Sequence, residues 1–245
     1  MIFPHRITSI RDGDRVLDVG PGGFPHPRAD VYLDRAFDAD TAAYQRGYAA
    51  KPTITRPQVL YDGGLFPFRD RAFDYAICSH VLEHVPDHEL DLFIAELNRV
   101  AGRGYLEFPS VFYELPCFPD THQWFINVRD GEILLLHKSA FVSSWLHRVY
   151  RDLVYSPDRW AIQAYQRYAD LFFIGFEWSG PIRYRRVASF DELVTEADYL
   201  RWQAYFAQQP RPAQPRLRLR QAADLTQRAV RKAVRLVVSP RREAA

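Results

Sequence analysis

Five short apolar runs punctuate the first 110 residues, and they restrict the fold more than any other feature of the chain. They are "RVLDVG" (15–20), "DVYLD" (30–34), "QVLYD" (58–62), "FDYAICS" (73–79) and "GYLEFPS" (104–110). Their β-branched and aromatic residues mark them as strands. Between the last two lies "HELDLFIAELNRVA" (88–101), where Leu90, Phe93, Ile94, Leu97 and Val100 recur at helical spacing. A further helix is expected over 38–48. Continuous apolar strands alternating with helices imply an α/β fold with a mostly parallel sheet covered on both faces.

The second half reads differently. "HQWFINVRDGEILLLHK" (122–138) has the pattern of a hairpin with Asp-Gly near its turn. "LFFIGFEWSGPIRYRRV" (171–187) suggests another, turning at Ser-Gly-Pro. One of the two is expected to complete the sheet with antiparallel strands, and the sequence leaves open which. A Pro/Arg linker, "QQPRPAQPRLRLR" (208–220), follows. Beyond it Ala222, Leu225, Ala229, Val230, Ala233, Val234 and Val237 trace the apolar stripe of a basic amphipathic helix. The expected organisation is one domain over 1–207, with acceptor-side additions at about 111–165, then linker and basic helix over 208–245.

Charge and cysteine content narrow the setting. The net charge of +2 is unevenly placed: from Arg211 onward ten Lys/Arg face two acidic residues, while residues 1–210 carry 22 basic against 28 acidic, or −6. An acidic body argues against a polyanionic nucleic-acid partner. The basic tail suits packing on its own domain or on a second copy, as in a homodimer, ahead of a membrane surface, an anionic glycan or RNA. No run reaches the roughly 18 apolar residues of a membrane span, and "MIFPHRITSI" lacks a signal pattern. Two cysteines, Cys78 and Cys117, make no disulfide framework and suit reduced thiols in the cytoplasm.

The first chemical motif follows the first strand at once. In "LDVGPGG", Gly20 and Gly22 allow a tight turn and close approach of a ligand to the backbone. Asp34 closes the second strand fourteen residues after Gly20, where a carboxylate accepts the hydroxyls of a ribose. Asp62 ends the third strand, where an adenine amino group would lie. The dinucleotide pattern G-x-G-x-x-G is not met.

"RVLDVGPGG", "VYLD", "DGGLFPFRDRAFDYAICSHVLEHVPD" and "ELNRVAGRGYLEFPS" together resemble the class I S-adenosylmethionine-dependent methyltransferases. The resemblance covers roughly residues 13–110. It implies a Rossmann-like sheet of seven strands, the last antiparallel, with the extra hairpin outside the family pattern. It implies that Asp18, Gly20 and Gly22 line the methionine side of S-adenosylmethionine, with Asp34 at the ribose and Asp62 at the adenine. By the same resemblance Pro21, Gly63 and Ser79 are expected to border this cleft. Pro21 and "GGFPHP" (22–27) depart from the family, standing where a third glycine and a helix start are usual.

The segment "SHVLEHVPDH" (79–88) then sits where the acceptor must meet the departing methyl group. If the turn after Ser79 is helical, His80, Glu83 and His84 share one face, a spacing suited to metal ligands. The stretch is similar to a subset of the family with E-x-x-E-H here, ubiquinone-pathway and small-RNA 2′-O-methyltransferases. That likeness implies a divalent cation, Mg²⁺ or Mn²⁺, on His80, Glu83, His84 and a distal histidine, here His122. Without metal, His84 or His122 would serve as proton acceptor beside Glu83, and a purely structural role is the third alternative. Such a cation lowers the pKa of one hydroxyl of a vicinal diol and fixes its direction. Tyr113 and Trp124, in "FPSVFYELPCFPDTHQWFINV" (108–128), are candidates for stacking on a sugar face.

The expectation is therefore an O-methyltransferase acting on a hydroxyl of a sugar or oligosaccharide, in glycan assembly, with a small-molecule or oligosaccharide acceptor as partner. Its rivals are a ribose 2′-O-methyltransferase, a methyltransferase for a phenol or carboxylate, and a cofactor-binding scaffold without turnover.

Overall fold

The computed structural model describes residues 1–38, 40, 41, 54–117, 119, 121–140 and 160–208. The chain divides into two units, Met1–Glu196 and Ala197–Ala245. The expected helix over 38–48 and the basic helix after the Pro/Arg linker fall outside the described residues, apart from the start of the former.

The five apolar runs form β1 (Val16–Val19), β2 (Val31–Arg35), β3 (Gln58–Tyr61), β4 (Tyr75–Ser79) and β5 (Arg103–Pro109). They pair in parallel in the order β3-β2-β1-β4-β5. Their side chains alternate between two cores. Leu17, Val19, Ala76, Cys78 and Leu106 face α1 (Asp87–Val100), while Val16, Tyr75, Ile77 and Tyr105 meet Ile7 and Ile10 on the other side. The predicted stripe of α1 is the buried one: Leu90, Phe93, Ile94, Leu97 and Val100. Each such leucine removed to alanine would cost about 2–5 kcal/mol.

A sixth strand, β8 (Phe173–Ser179), runs antiparallel to β5, from Arg103↔Ser179 to Pro109↔Phe173. Between β5 and β8 the chain passes through α2 (Val111–Cys117), the hairpin of β6 (Trp124–Arg129) and β7 (Glu132–His137), α3 (Trp160–Arg167) and α4 (Ala169–Phe172). Asp130 and Gly131 turn the hairpin with φ of 51° and 70°, as a two-residue hairpin turn requires. Beyond β8 come β9 (Arg183–Arg186) and α5 (Phe190–Leu193). The second unit opens in α6 (Glu196–Gln208), whose first residue still belongs to the first unit.

One expectation is corrected. The 171–187 segment is not a hairpin: β8 completes the main sheet, and β9 pairs in parallel with β7 in a separate three-stranded sheet. The chemistry of the turn explains it. Pro181 has no N–H to give, and the Ile182 N–H donates to Asn98 Oδ1 at 3.0 Å, so the ladder cannot resume against β8. The expected antiparallel strand is thus present, and among the described residues the main sheet has six strands.

Candidate active site

The strand order reverses at β1, with β2 on one side and β4 on the other, and a crevice opens at the carboxyl ends of the strands. Here the chain after β1 is pinned at Gly20, whose N–H donates to the Leu33 carbonyl at 2.8 Å. Gly20 has φ of 62°, and a Cβ there would lie 2.4 Å from Val81 Cγ2. No side chain fits, and the backbone itself walls the cavity. The resulting cleft of about 540 Å³ is lined by Gly20, Gly22, Asp34, Tyr61, Phe93 and His84, among others. Arg35 and Glu89 close its rim with a two-point ion pair at 2.7 and 3.0 Å. The cradle, the terminal carboxylate of β2 and the aromatic wall fit an adenosine with a charged tail.

A second cavity of about 340 Å³ shares Gly20, Gly22, His80 and His84 with the first, and adds Phe24, Glu83, Tyr113, His122 and Phe173. The two spaces meet at the histidines. The chain leaves β4 through His80, whose φ of 57° is left-handed and strained by about 1–2 kcal/mol. The helical turn begins only at Leu82 and covers Leu82–His84. His80 therefore does not share a helix face with Glu83 and His84, which corrects that expectation. Its ring lies instead between two buried carboxylates, Nδ1 3.3 Å from Glu83 Oε1 and Nε2 3.1 Å from Glu107 Oε1. The second contact is an ion pair, bent away from a linear hydrogen bond. Burial opposes the imidazolium, but Glu107 and then Glu83 outweigh it and lift His80 to about 9.

Glu83 is 1% exposed, and neither of its oxygens has a well-formed hydrogen bond. Burial would raise its pKa; His80 overcomes this and holds it near 2, so it stays a carboxylate. Glu83, His84 and His122 each bring one ligand atom within 4.8 Å of the others. The two rings stand edge to face, 4.5 Å apart. His84 is pushed down to about 4, chiefly by burial, so its ring is neutral at pH 7. Its Nδ1 lies 3.2 Å from the Thr121 carbonyl and donates to it, which leaves Nε2 with a lone pair. A buried carboxylate paired with His80 but without a well-formed hydrogen bond, beside two imidazoles, is a donor set that suits a divalent cation.

The other singled-out residues divide. Pro21, Ser79 and Tyr113 line the second cavity; Ser79 Oγ donates to Glu107 at 2.9 Å, and Tyr113 packs on Tyr165 and Phe173. Asp18 is buried below the cradle. Its carboxylate accepts the His26 N–H at 2.8 Å, and burial lifts it to about 7. It holds the loop rather than lining either cavity. Asp62 is exposed, and neither it nor Gly63 borders either cavity. Trp124 is corrected outright: it is 0% exposed on β6, with Nε1 donating to the Val85 carbonyl at 2.7 Å, so it cannot reach an acceptor. Sequence reasoning missed Glu107, Arg35, Glu89, Glu114 and Lys138. Only Glu107 left a signal, as the one charge inside the apolar run "GYLEFP".

An α/β sheet with its crevice at the β1 switch point and a glycine cradle over it is the arrangement of the Rossmann-like nucleotide-binding folds. Residues 17–106 match the family described as "Methyltransferase domain", which is consistent with the class I S-adenosylmethionine-dependent methyltransferases that the sequence resembles. An S-adenosylmethionine-dependent methyltransferase of Methanosarcina mazei is 21% identical, over 49% of this chain and 69% of that one, with a TM-score of 0.32. One of Mesorhizobium loti is 14% identical, over 67% and 90%, with a TM-score of 0.35. A comparison with curated proteins finds no match.

Proposed function

We propose that the chain O-methylates a hydroxyl of a sugar or glycan, with a divalent cation on Glu83, His84 and His122 gripping a vicinal diol. One observation carries this: the buried Glu83 carboxylate has no well-formed hydrogen bond, yet it faces two imidazoles at the junction of the cofactor cleft and the second cavity. S-adenosylmethionine supplies an already activated methyl group, and a cation would supply the Lewis acidity that makes an alcohol nucleophilic at neutral pH.

The chain's own residues do the rest. Gly20 and Gly22 let the backbone approach the cofactor, and Asp34 accepts ribose hydroxyls. A ring that takes a proton only below about pH 4 is a poor base and a ready ligand, so His84 binds and does not shuttle protons. Two imidazoles with one carboxylate favour Mn²⁺ over Mg²⁺, which prefers an all-oxygen shell. Tyr113 offers a flat apolar face to the ring carbons of a sugar. His80, held as a cation, compensates Glu83 and Glu107 and stands outside the ligand group. Tyr113 and His122 come from the segment expected as an acceptor-side addition. No helix among the described residues is long and apolar enough to cross a membrane.

The test is methyl transfer from radiolabelled S-adenosylmethionine to a panel of methyl glycosides, with chelator and with added Mn²⁺. Transfer to glycosides bearing a vicinal diol should vanish with chelator, return with Mn²⁺ and be absent from the corresponding deoxy sugars. Transfer that ignores chelation removes the cation from the reading. Transfer confined to ribonucleotides replaces the sugar with a ribose.

A further inference from the structure

We propose that Glu114 and Lys138 are a buried positioning pair that fixes the tautomer of His122, leaving its Nε2 lone pair for the Glu83–His84 group; this rests on the functional reading above. Glu114 is fully buried on α2. Its Oε1 lies 2.6 Å from His122 Nδ1, and its Oε2 lies 2.6 Å from Lys138 Nζ. Lys138 is itself buried and also donates to the Pro119 carbonyl at 3.3 Å.

The donor count decides the tautomer. An ammonium can only donate, so Oε2 accepts from Lys138, and a carboxylate so engaged has no proton for His122. Nδ1 of His122 must therefore carry the hydrogen. The neutral ring then has one lone pair, on Nε2. A carboxylate behind a ligating histidine is the usual means of holding such a ring. The backbone keeps the parts in register: Gln123 N donates to the Glu83 carbonyl at 2.6 Å, and Lys138 N donates to the Gln123 carbonyl at 2.9 Å. The pair thus joins α2, the end of the β6–β7 hairpin and the Glu83 turn at one histidine. A Glu–Lys pair serving packing alone would need no imidazole on its open oxygen.

The test reads the tautomer directly, by ¹⁵N correlation of the imidazole in metal-free protein with S-adenosylhomocysteine. Wild type should show His122 as the Nδ1–H form. Glu114→Gln should invert it, because the amide oxygen must take Lys138 and the amide NH₂ then donates to Nδ1. Glu114→Asp, which keeps the carboxylate, should retain the Nδ1–H form. In parallel, Mn²⁺ affinity should fall about 10- to 100-fold in Glu114→Gln. An Nε2–H form in wild type, or an unchanged tautomer in Glu114→Gln, overturns the pair; the wild-type reading needs no variant to fold. Unchanged Mn²⁺ affinity despite inversion overturns its role in ligation. A wild type with the expected tautomer that binds no Mn²⁺ upholds the pair and sinks the cation.

Discussion

The two cavities that meet at His80 and His84 are built by opposite means. The cofactor cleft turns on local features, a left-handed glycine after β1 and a carboxylate at the end of β2, with Tyr61 and Phe93 as its wall and the Arg35–Glu89 pair at its rim. The second cavity abuts a chain of titratable side chains, with Glu107, His80, Glu83, His84, His122, Glu114 and Lys138 following one another. A backbone site depends on local conformation and tolerates little change at a few positions. A buried charge network depends on partners from several segments, and losing one leaves the next uncompensated.

The sharpest way to break the first region is Gly20→Ala. The left-handed backbone costs an alanine about 1–2 kcal/mol, and the clash with Val81 adds a similar amount. S-adenosylhomocysteine affinity, read by calorimetry, should fall about 100-fold. Adding Val81→Ala should recover only the steric part. Full recovery would mean that the turn does not need a glycine conformation.

The second region should show itself in pH. The folded pKa of His80 lies above its ordinary 6.5, so its stabilisation is complete below pH 6.5 and lost as pH rises through about 9. Its ring is 27% exposed, and solvent screening reduces the effect to about 1–2 kcal/mol. Thermal melts of wild type should therefore fall between pH 6.5 and 9.5, and His80→Gln should flatten that limb. An equal fall in the variant would place the alkaline loss elsewhere.

The smallest effect belongs to Tyr113. Removing one aromatic face should raise the acceptor KM about 3- to 10-fold, leaving the KM for S-adenosylmethionine unchanged. A change in both would move Tyr113 to the boundary between the cavities.

The same contrast explains what the sequence could tell. The five strands, α1, Gly20, Gly22 and Asp34 announce themselves within a few residues, because periodicity and glycine chemistry are local. The grouping of Glu83 with His84 was legible for the same reason. The place of His80 was not, since a left-handed residue before the turn breaks the i, i+3 geometry. Glu114 and Lys138 stand 24 residues apart and meet only when the hairpin docks beside α2. Trp124 looked like a platform because aromatic residues serve cores and ligands alike, and only burial separates the two. The path of β9 was hidden because a Ser-Gly-Pro turn announces a turn without saying which sheet comes next.

The central claim is that Glu83, His84 and His122 hold a divalent cation. It is tested most directly by titrating Mn²⁺ into metal-stripped wild-type protein and Glu83→Gln, each with S-adenosylhomocysteine, and following free Mn²⁺ by electron paramagnetic resonance. Wild type should bind one ion, and the variant should bind it at least about 100-fold more weakly while keeping its affinity for S-adenosylhomocysteine. Equal Mn²⁺ binding by the two proteins, or none by wild type, would contradict the account.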